Sequence, residues 1–75
     1  MTLPYERTRA VIQTREFLEQ LERDSNQNEA TRSMVTQLLR HYPSRGEVLL
    51  QGRVQEWLGG RFGFEPFFSS KTTRD

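Results

Sequence analysis

The first third of the chain carries apolar residues at the spacing of an amphipathic α-helix. At about 100° per residue they fall on a stripe about 120° wide, which is typical of one buried helix face. The stripe comprises Ala10, Val11, Thr14, Phe17, Leu18 and Leu21. Pro4 suits a first helical turn, and Glu6 complements the positive end of the helix dipole. The pattern predicts a helix over residues 4–23 that buries this stripe.

The other side of this helix is predicted to face solvent. Arg15 and Glu19 are four residues apart, the spacing of an exposed ion pair on a helix. Ile12 lies about 140° from the centre of the stripe, so it is expected on the surface, where a single isoleucine is ordinary.

A polar segment separates this helix from a second one. Residues 24–28 are rich in Asp, Ser and Asn, whose side chains hydrogen-bond to nearby backbone, and Asn28 is the expected N-cap. The second helix is predicted over residues 29–42, because Pro43 opposes its continuation. Its apolar face is about 180° wide, which predicts a central element that touches both other helices. This face comprises Ala30, Met34, Val35, Leu38, Leu39 and Tyr42.

A third helix is predicted over residues 45–58. Ser44 and Glu47 have the spacing of a capping box, and Gly59-Gly60 is expected to end the helix. The predicted inner face comprises Leu50, Val54, Trp57 and Leu58. A β-hairpin that turns at Gly59-Gly60 is the alternative for this part of the chain.

The C-terminal segment holds four of the five phenylalanines: Phe62, Phe64, Phe67 and Phe68. Such rings either fold back onto the helices or dock on another chain, because exposed aromatic clusters favour aggregation. We expect one all-α domain over residues 1–68, with three helices and this aromatic segment docked on them, and a flexible tail over residues 69–75.

Composition limits how such a domain is stabilised. The chain has 75 residues, of which 33% are hydrophobic, and no cysteine. A single core of this size supplies only about 3 to 5 kcal/mol unless disulfides, a metal or a second subunit add to it. Disulfides cannot form, and His41 is the only zinc ligand of the Cys or His type. We therefore expect neither metal nor cofactor, and a homo-oligomer or another protein as the source of further burial.

The sequence predicts a cytoplasmic protein. The longest uncharged apolar run is Val48-Leu49-Leu50, much shorter than the roughly 20 residues that cross a bilayer, and no signal segment is recognisable. The net charge of +1 is spread evenly, so no membrane partner is indicated.

Residues typical of catalysis do not form a recognisable set. His41 lacks a nucleophile or acid at a motif spacing, and its position in the last turn of the second helix suits a cation at a helix end. The glycine-rich segment after Trp57 has neither the Lys-Ser/Thr ending of a phosphate-binding loop nor a dinucleotide-binding pattern. We expect no catalytic residues and no enzymatic activity.

Two functions remain. The favoured hypothesis is a non-enzymatic protein-interaction module. Its proposed partner-binding residues are Ile12, Phe62, Phe64, Phe67 and Phe68. The alternative is a dimeric helix-turn-helix regulator that binds DNA through the third helix. Its proposed contacts are Arg45, Gln51, Arg53 and Gln55. Balanced charge disfavours this alternative, because DNA binding normally requires a clustered basic surface.

Three segments resemble a family of short proteobacterial proteins to which no activity is assigned. They are Pro4 with Glu6-Arg7-Thr8-Arg9-Ala10-Val11, then Thr14-Arg15-Glu16-Phe17-Leu18, and Leu38-Leu39-Arg40-His41-Tyr42-Pro43-Ser44. The resemblance covers about residues 1–47 and implies a small helical protein.

Overall fold

Three α-helices make up most of the chain in the computed structural model, which describes residues 2–74. They are α1 (Pro4–Arg23), α2 (Glu29–His41) and α3 (Arg45–Phe62). The all-α prediction is confirmed, and the hairpin alternative is wrong, since residues 2–74 contain no strand. Met1 and Asp75, the outer ends of the predicted domain and tail, lie outside the described residues.

The helix starts follow the predicted local chemistry. The Asn28 side chain accepts a hydrogen bond from the Thr31 N–H at 2.7 Å, as an N-cap does. Ser44 and Glu47 form the predicted capping box: the Ser44 hydroxyl accepts from the Glu47 N–H at 3.2 Å, and the Glu47 carboxylate accepts from the Ser44 N–H at 2.9 Å. Both helices therefore begin where the sequence places them.

The end of α3 differs from the prediction. Gly59 and Gly60 continue the helix instead of ending it, and α3 stops where Gly63 adopts a left-handed conformation with φ of 79°. Left-handed geometry is what a glycine after the last turn supplies at low cost. The predicted end at Leu58 is wrong because Gly59 and Gly60 keep a helical backbone conformation. A glycine ends a helix only where it leaves that conformation, as Gly63 does.

The central element is α1, not α2 as predicted. α1 packs against both other helices, and within residues 2–74 α2 and α3 do not pack against each other. α2 runs antiparallel along the C-terminal half of α1, where Arg32 donates to the Glu22 carbonyl and the Tyr42 hydroxyl donates to the Val11 carbonyl. α3 then follows the N-terminal half of α1. α2 cannot be central because α3 continues along α1 instead of folding back over it.

This arrangement is elongated. The principal extents are 48 × 21 × 20 Å and the radius of gyration is 15.1 Å, whereas a compact domain of this length has a radius of about 11 Å. The helices and the returning C-terminal segment form a narrow rod, so each helix has one packed side and one open side.

The buried core is small and differs from the predicted one. Its apolar members are Ile12, Val35 and Val48, each 4% exposed. Ile12 was predicted on the surface, and this is wrong. The packed side of α1 is centred on Thr8 and Ile12, so Phe17, in the predicted stripe, is 58% exposed. The apolar stripe of α1 is rotated away from the side that α2 and α3 occupy.

The inner face of α3 was also predicted wrongly. Val48, Gly52 and Gly59 are its buried residues, whereas Leu50 and Trp57 are 60% and 64% exposed. Small residues are inside because the returning C-terminal backbone lies directly on this side of the helix. Of the four residues predicted for the inner face, Leu50, Val54 and Trp57 are consequently on the outside, and Leu58 is half-buried.

Candidate protein-interaction surface

The C-terminal segment is fastened to the helices by polar contacts. The Thr8 hydroxyl, fully buried, donates to the Ser69 carbonyl at 2.9 Å and accepts from the Ser69 N–H at 2.8 Å. On its other side Ser69 lies against Gly52, where an added Cβ would come within 2.1 Å of the Ser69 carbonyl oxygen. Ser69, which the sequence assigned to the flexible tail, is therefore held between α1 and α3.

Further contacts extend this attachment on the N-terminal side of Ser69. The Gln55 side-chain oxygen accepts from the N–H groups of Phe67 and Phe68, and the Arg7 guanidinium donates to the Phe67 carbonyl at 2.8 Å. A Cβ added at Gly59 would also clash with the Phe64 carbonyl oxygen, so this glycine too admits the backbone of the segment. Backbone groups of the segment are thus satisfied by side chains of α1 and α3, in keeping with the cost of burying unpaired polar groups.

A carboxylate belongs to the same attachment. Glu56 accepts hydrogen bonds from the Ser69 hydroxyl at 3.0 Å and the Ser70 N–H at 3.2 Å. Burial alone would raise the pKa of Glu56, but the hydrogen bonds from Ser70 and Ser69, with nearby Lys71, outweigh burial and lower it. The ionised form of Glu56 therefore favours the docked segment.

The aromatic rings of this segment point mostly outward although its backbone is docked. Phe62 is 68% exposed, Phe64 and Phe67 are also exposed, and Phe68 is half-buried. The Phe67 and Phe68 rings meet edge to face with centroids 5.0 Å apart, and the Arg7 guanidinium lies 4.4 Å from the Phe67 ring centroid. The segment is neither core nor free tail, since its backbone packs and its rings remain accessible.

The outer side of α3 is a second aromatic and aliphatic surface. Leu50, Val54 and Trp57 are exposed at i, i+4 and i+7 and lie on the side opposite Gly52 and Gly59. We call these three residues the outer ridge. Arg61 extends the line at i+11, with its guanidinium 5.5 Å from the Trp57 ring centroid. This ridge consists of residues that the sequence assigned to the core, which is why it was not predicted as a surface.

Across residues 2–74, ten large apolar side chains are at least 40% exposed. Besides the outer ridge they include Leu3, Phe17, Met34, Leu38, Phe62, Phe64 and Phe67. Four of the five predicted partner-binding residues remain at or near the surface, whereas Ile12 does not, because it is buried between the helices.

The helix-turn-helix alternative does not match this geometry. Its two helices would have to pack together, and α2 and α3 have no such contact anywhere in residues 2–74. Gln55, one of the four proposed contacts, holds the backbone of the C-terminal segment instead. Arg45, Gln51 and Arg53 are exposed at separate angles around α3.

His41 is exposed at the end of α2, and the described part of the chain has no cluster of three or more potential metal-ligating side chains.

Arg15 was predicted on a solvent-facing side with Glu19, and the two side chains lie 3.6 Å apart. Arg15 also donates to the Tyr42 carbonyl at 2.8 Å, so it fastens the α2–α3 junction to α1. No spacing rule connects positions so far apart.

No protein-family model, no curated protein and no solved structure matches this chain. None of the helices in residues 2–74 combines the length and apolar content that a bilayer crossing requires.

Proposed function

We propose that this chain is a non-enzymatic protein-interaction module that binds a protein through its exposed apolar side chains. One observation carries the proposal: large apolar groups project from the outer ridge and the aromatic segment, while within residues 2–74 three apolar residues form the buried core. Large apolar side chains exposed along one helix face are typical of binding sites in small soluble domains.

The composition of the surface supports a protein partner. Protein interfaces are enriched in aromatic residues, Met and Arg, and their energetic centres are most often Trp, Tyr or Arg. Trp57 is 64% exposed, and the Arg61 guanidinium lies 5.5 Å from its ring centroid. An arginine close to an exposed tryptophan offers apolar surface together with hydrogen-bond donors.

Packing of the helix against the C-terminal segment gives this surface a fixed shape. The inner side of α3 is held through Gly52 and Gln55, so the opposite side is presented on a helix that is fixed at several points. Anchors that are already ordered lose less entropy when they bind. The outer ridge is therefore better suited to recognition than a free amphipathic helix.

Site-specific photo-crosslinking in the producing cell tests the proposal. A benzophenone amino acid replaces Trp57 in the full chain, and the matched control carries it at Gln13, an exposed residue of α1 outside the apolar surface. We expect protein adducts from position 57 and none from position 13. Absence of any protein adduct from position 57, with the chain folded, would contradict the proposed function.

A further inference from the structure

We propose that the outer ridge binds a second copy of this chain, with the two α3 helices packed antiparallel in a twofold-symmetric dimer. The inference rests on the proposed function and specifies its partner. The interface is placed on α3 because the three apolar residues of the ridge lie along one helix face that no described element covers.

The spacing along α3 is that of a helix that pairs with a helix. Leu50, Val54 and Trp57 are separated by four and three residues, the alternation that brings side chains onto one seam. Glu47 precedes Leu50 by three residues and Arg61 follows Trp57 by four, so both lie on the extension of the seam. The seam thus runs from an acidic end through an apolar middle to a basic end.

The accessible surface of the chain exceeds that of a compact monomer by about the area that one partner buries in a standard interface. The accessible surface is 5755 Å², whereas a compact monomer of 8.9 kDa exposes about 4,800 Å². The excess is roughly 900 to 1,000 Å² by this scaling, and a standard interface buries about 800 Å² on each partner. A dimer would cover part of the large exposed surface of this narrow rod.

Charge selects the orientation of the pair. In an antiparallel pair Glu47 of one copy lies near Arg61 of the other, twice by symmetry. A parallel pair would instead bring the two Glu47 carboxylates together and the two Arg61 guanidinium groups together, which is unfavourable. An antiparallel pair also places Val54, midway between Glu47 and Arg61 in the sequence, next to the twofold axis.

Sedimentation of the purified full chain over a dilution series tests the dimer. We expect the wild-type chain to dissociate from dimer to monomer on dilution, and Leu50→Glu to raise the dissociation constant about 100-fold, because it buries an unpaired charge in the seam. Gln51→Glu is the matched control: it makes the same charge at the neighbouring exposed residue outside the seam. It should leave the dissociation constant within about threefold of wild type.

Circular dichroism of the same samples separates loss of association from loss of folding. If Leu50→Glu loses helix as a dilute monomer, Val54→Gln replaces it in the comparison, since this change adds no charge. A wild-type chain that stays monomeric at every concentration would overturn the dimer. A dimer that resists both ridge substitutions but is lost in Met34→Glu would place the interface on α2 and would also overturn the inference.

Cysteine cross-linking tests the orientation, because the chain has no cysteine of its own. Under mild oxidation by a glutathione buffer, Val54→Cys should form a covalent dimer, whereas Leu50→Cys should not, since only residues near the axis meet their own copies. Equal cross-linking at both positions would indicate a parallel pair and overturn the antiparallel arrangement.

The dimer and the proposed function fail separately. Position 57 cross-links to a second copy if the inference holds, which gives an adduct of twice the mass of the chain. Adducts to other proteins, with a monomeric purified chain, would retain the interaction function and reject the dimer. No adduct of any kind would reject both.

Discussion

The inner side of α3 buries two glycines, whereas its outer side exposes large apolar residues. The inner side buries Gly52 and Gly59 and meets the backbone of the C-terminal segment through hydrogen bonds. The outer side exposes the leucine, valine and tryptophan of the ridge. Ordinarily the apolar side of an amphipathic helix is buried and the other faces water.

Different interactions govern the C-terminal segment and the outer ridge. The segment is held by satisfied polar groups at close approach, such as the pair between Thr8 and Ser69. The ridge has apolar area that this chain alone does not remove from water. Burial of that area would add to stability only when a partner is present, so inner-side and outer-side substitutions should differ in what they change.

The largest effect is expected for Gly52→Ala. The new Cβ would lie 2.1 Å from the Ser69 carbonyl oxygen, and backbone on both sides cannot yield without moving the segment. We expect the free energy of unfolding to fall by about 2 to 3 kcal/mol, despite the better helix propensity of alanine. Urea denaturation followed by circular dichroism measures this change.

Gly60→Ala is the control for the loss at Gly52. It lies in the same helix with nothing within 4 Å of its added Cβ. It should raise the free energy of unfolding by about 0.5 to 1 kcal/mol, as alanine does in a helix interior. Equal gains at both positions would show that the segment does not pack on Gly52.

A smaller loss is expected for Thr8→Val, which keeps the shape of the side chain and removes its hydroxyl. The buried N–H and carbonyl of Ser69 would each lose a partner, at a combined cost of about 1 to 2 kcal/mol. Thr14→Val removes an equivalent hydroxyl, bonded to the Ala10 carbonyl on the exposed side of α1. The control should change stability by less than about 0.5 kcal/mol.

Acid should loosen the inner attachment. The pKa of Glu56 is lower in the folded chain than in the unfolded chain, so its contribution is present above the unfolded pKa and is lost as the pH falls through the folded pKa. We expect the protection of the Ser70 amide against hydrogen exchange, relative to an unfolded chain at the same pH, to decrease over that range. Glu56→Gln should remove this dependence, and Glu65→Gln, at an exposed residue, should retain it.

The smallest effect on the isolated monomer is expected on the outer side. Leu50→Gln replaces a side chain that is 60% exposed, so the free energy of unfolding of the monomer should change by less than about 0.5 kcal/mol. Chemical denaturation at protein concentrations below the dissociation constant of the dimer measures this change in the free energy of unfolding. A loss as large as that of Thr8→Val would mean that Leu50 already packs within one chain, and the two sides would then not differ as described.

The local structure of the helix starts follows from nearby residues in the sequence. Pro4 and Glu6 define the start of α1, Asn28 caps α2, and Ser44 with Glu47 begins α3, because each of these signals depends on residues within one helical turn. The short length, the small apolar content and the absence of cysteine also indicated that one chain has little core of its own. The sequence predicted a docked aromatic segment but assigned Ser69, which pairs with Thr8, to the flexible tail.

Which side of each helix is buried depends on tertiary contacts. A helical wheel gives the angle between residues of one helix, but it contains no information about which neighbour is present at that angle. Thr8 and Ser69 are far apart in sequence, and Gly52 receives the segment between them because a missing side chain leaves space for backbone. With that space filled by polar contacts, Leu50, Val54 and Trp57 of α3 remain outside, where only a partner could bury them.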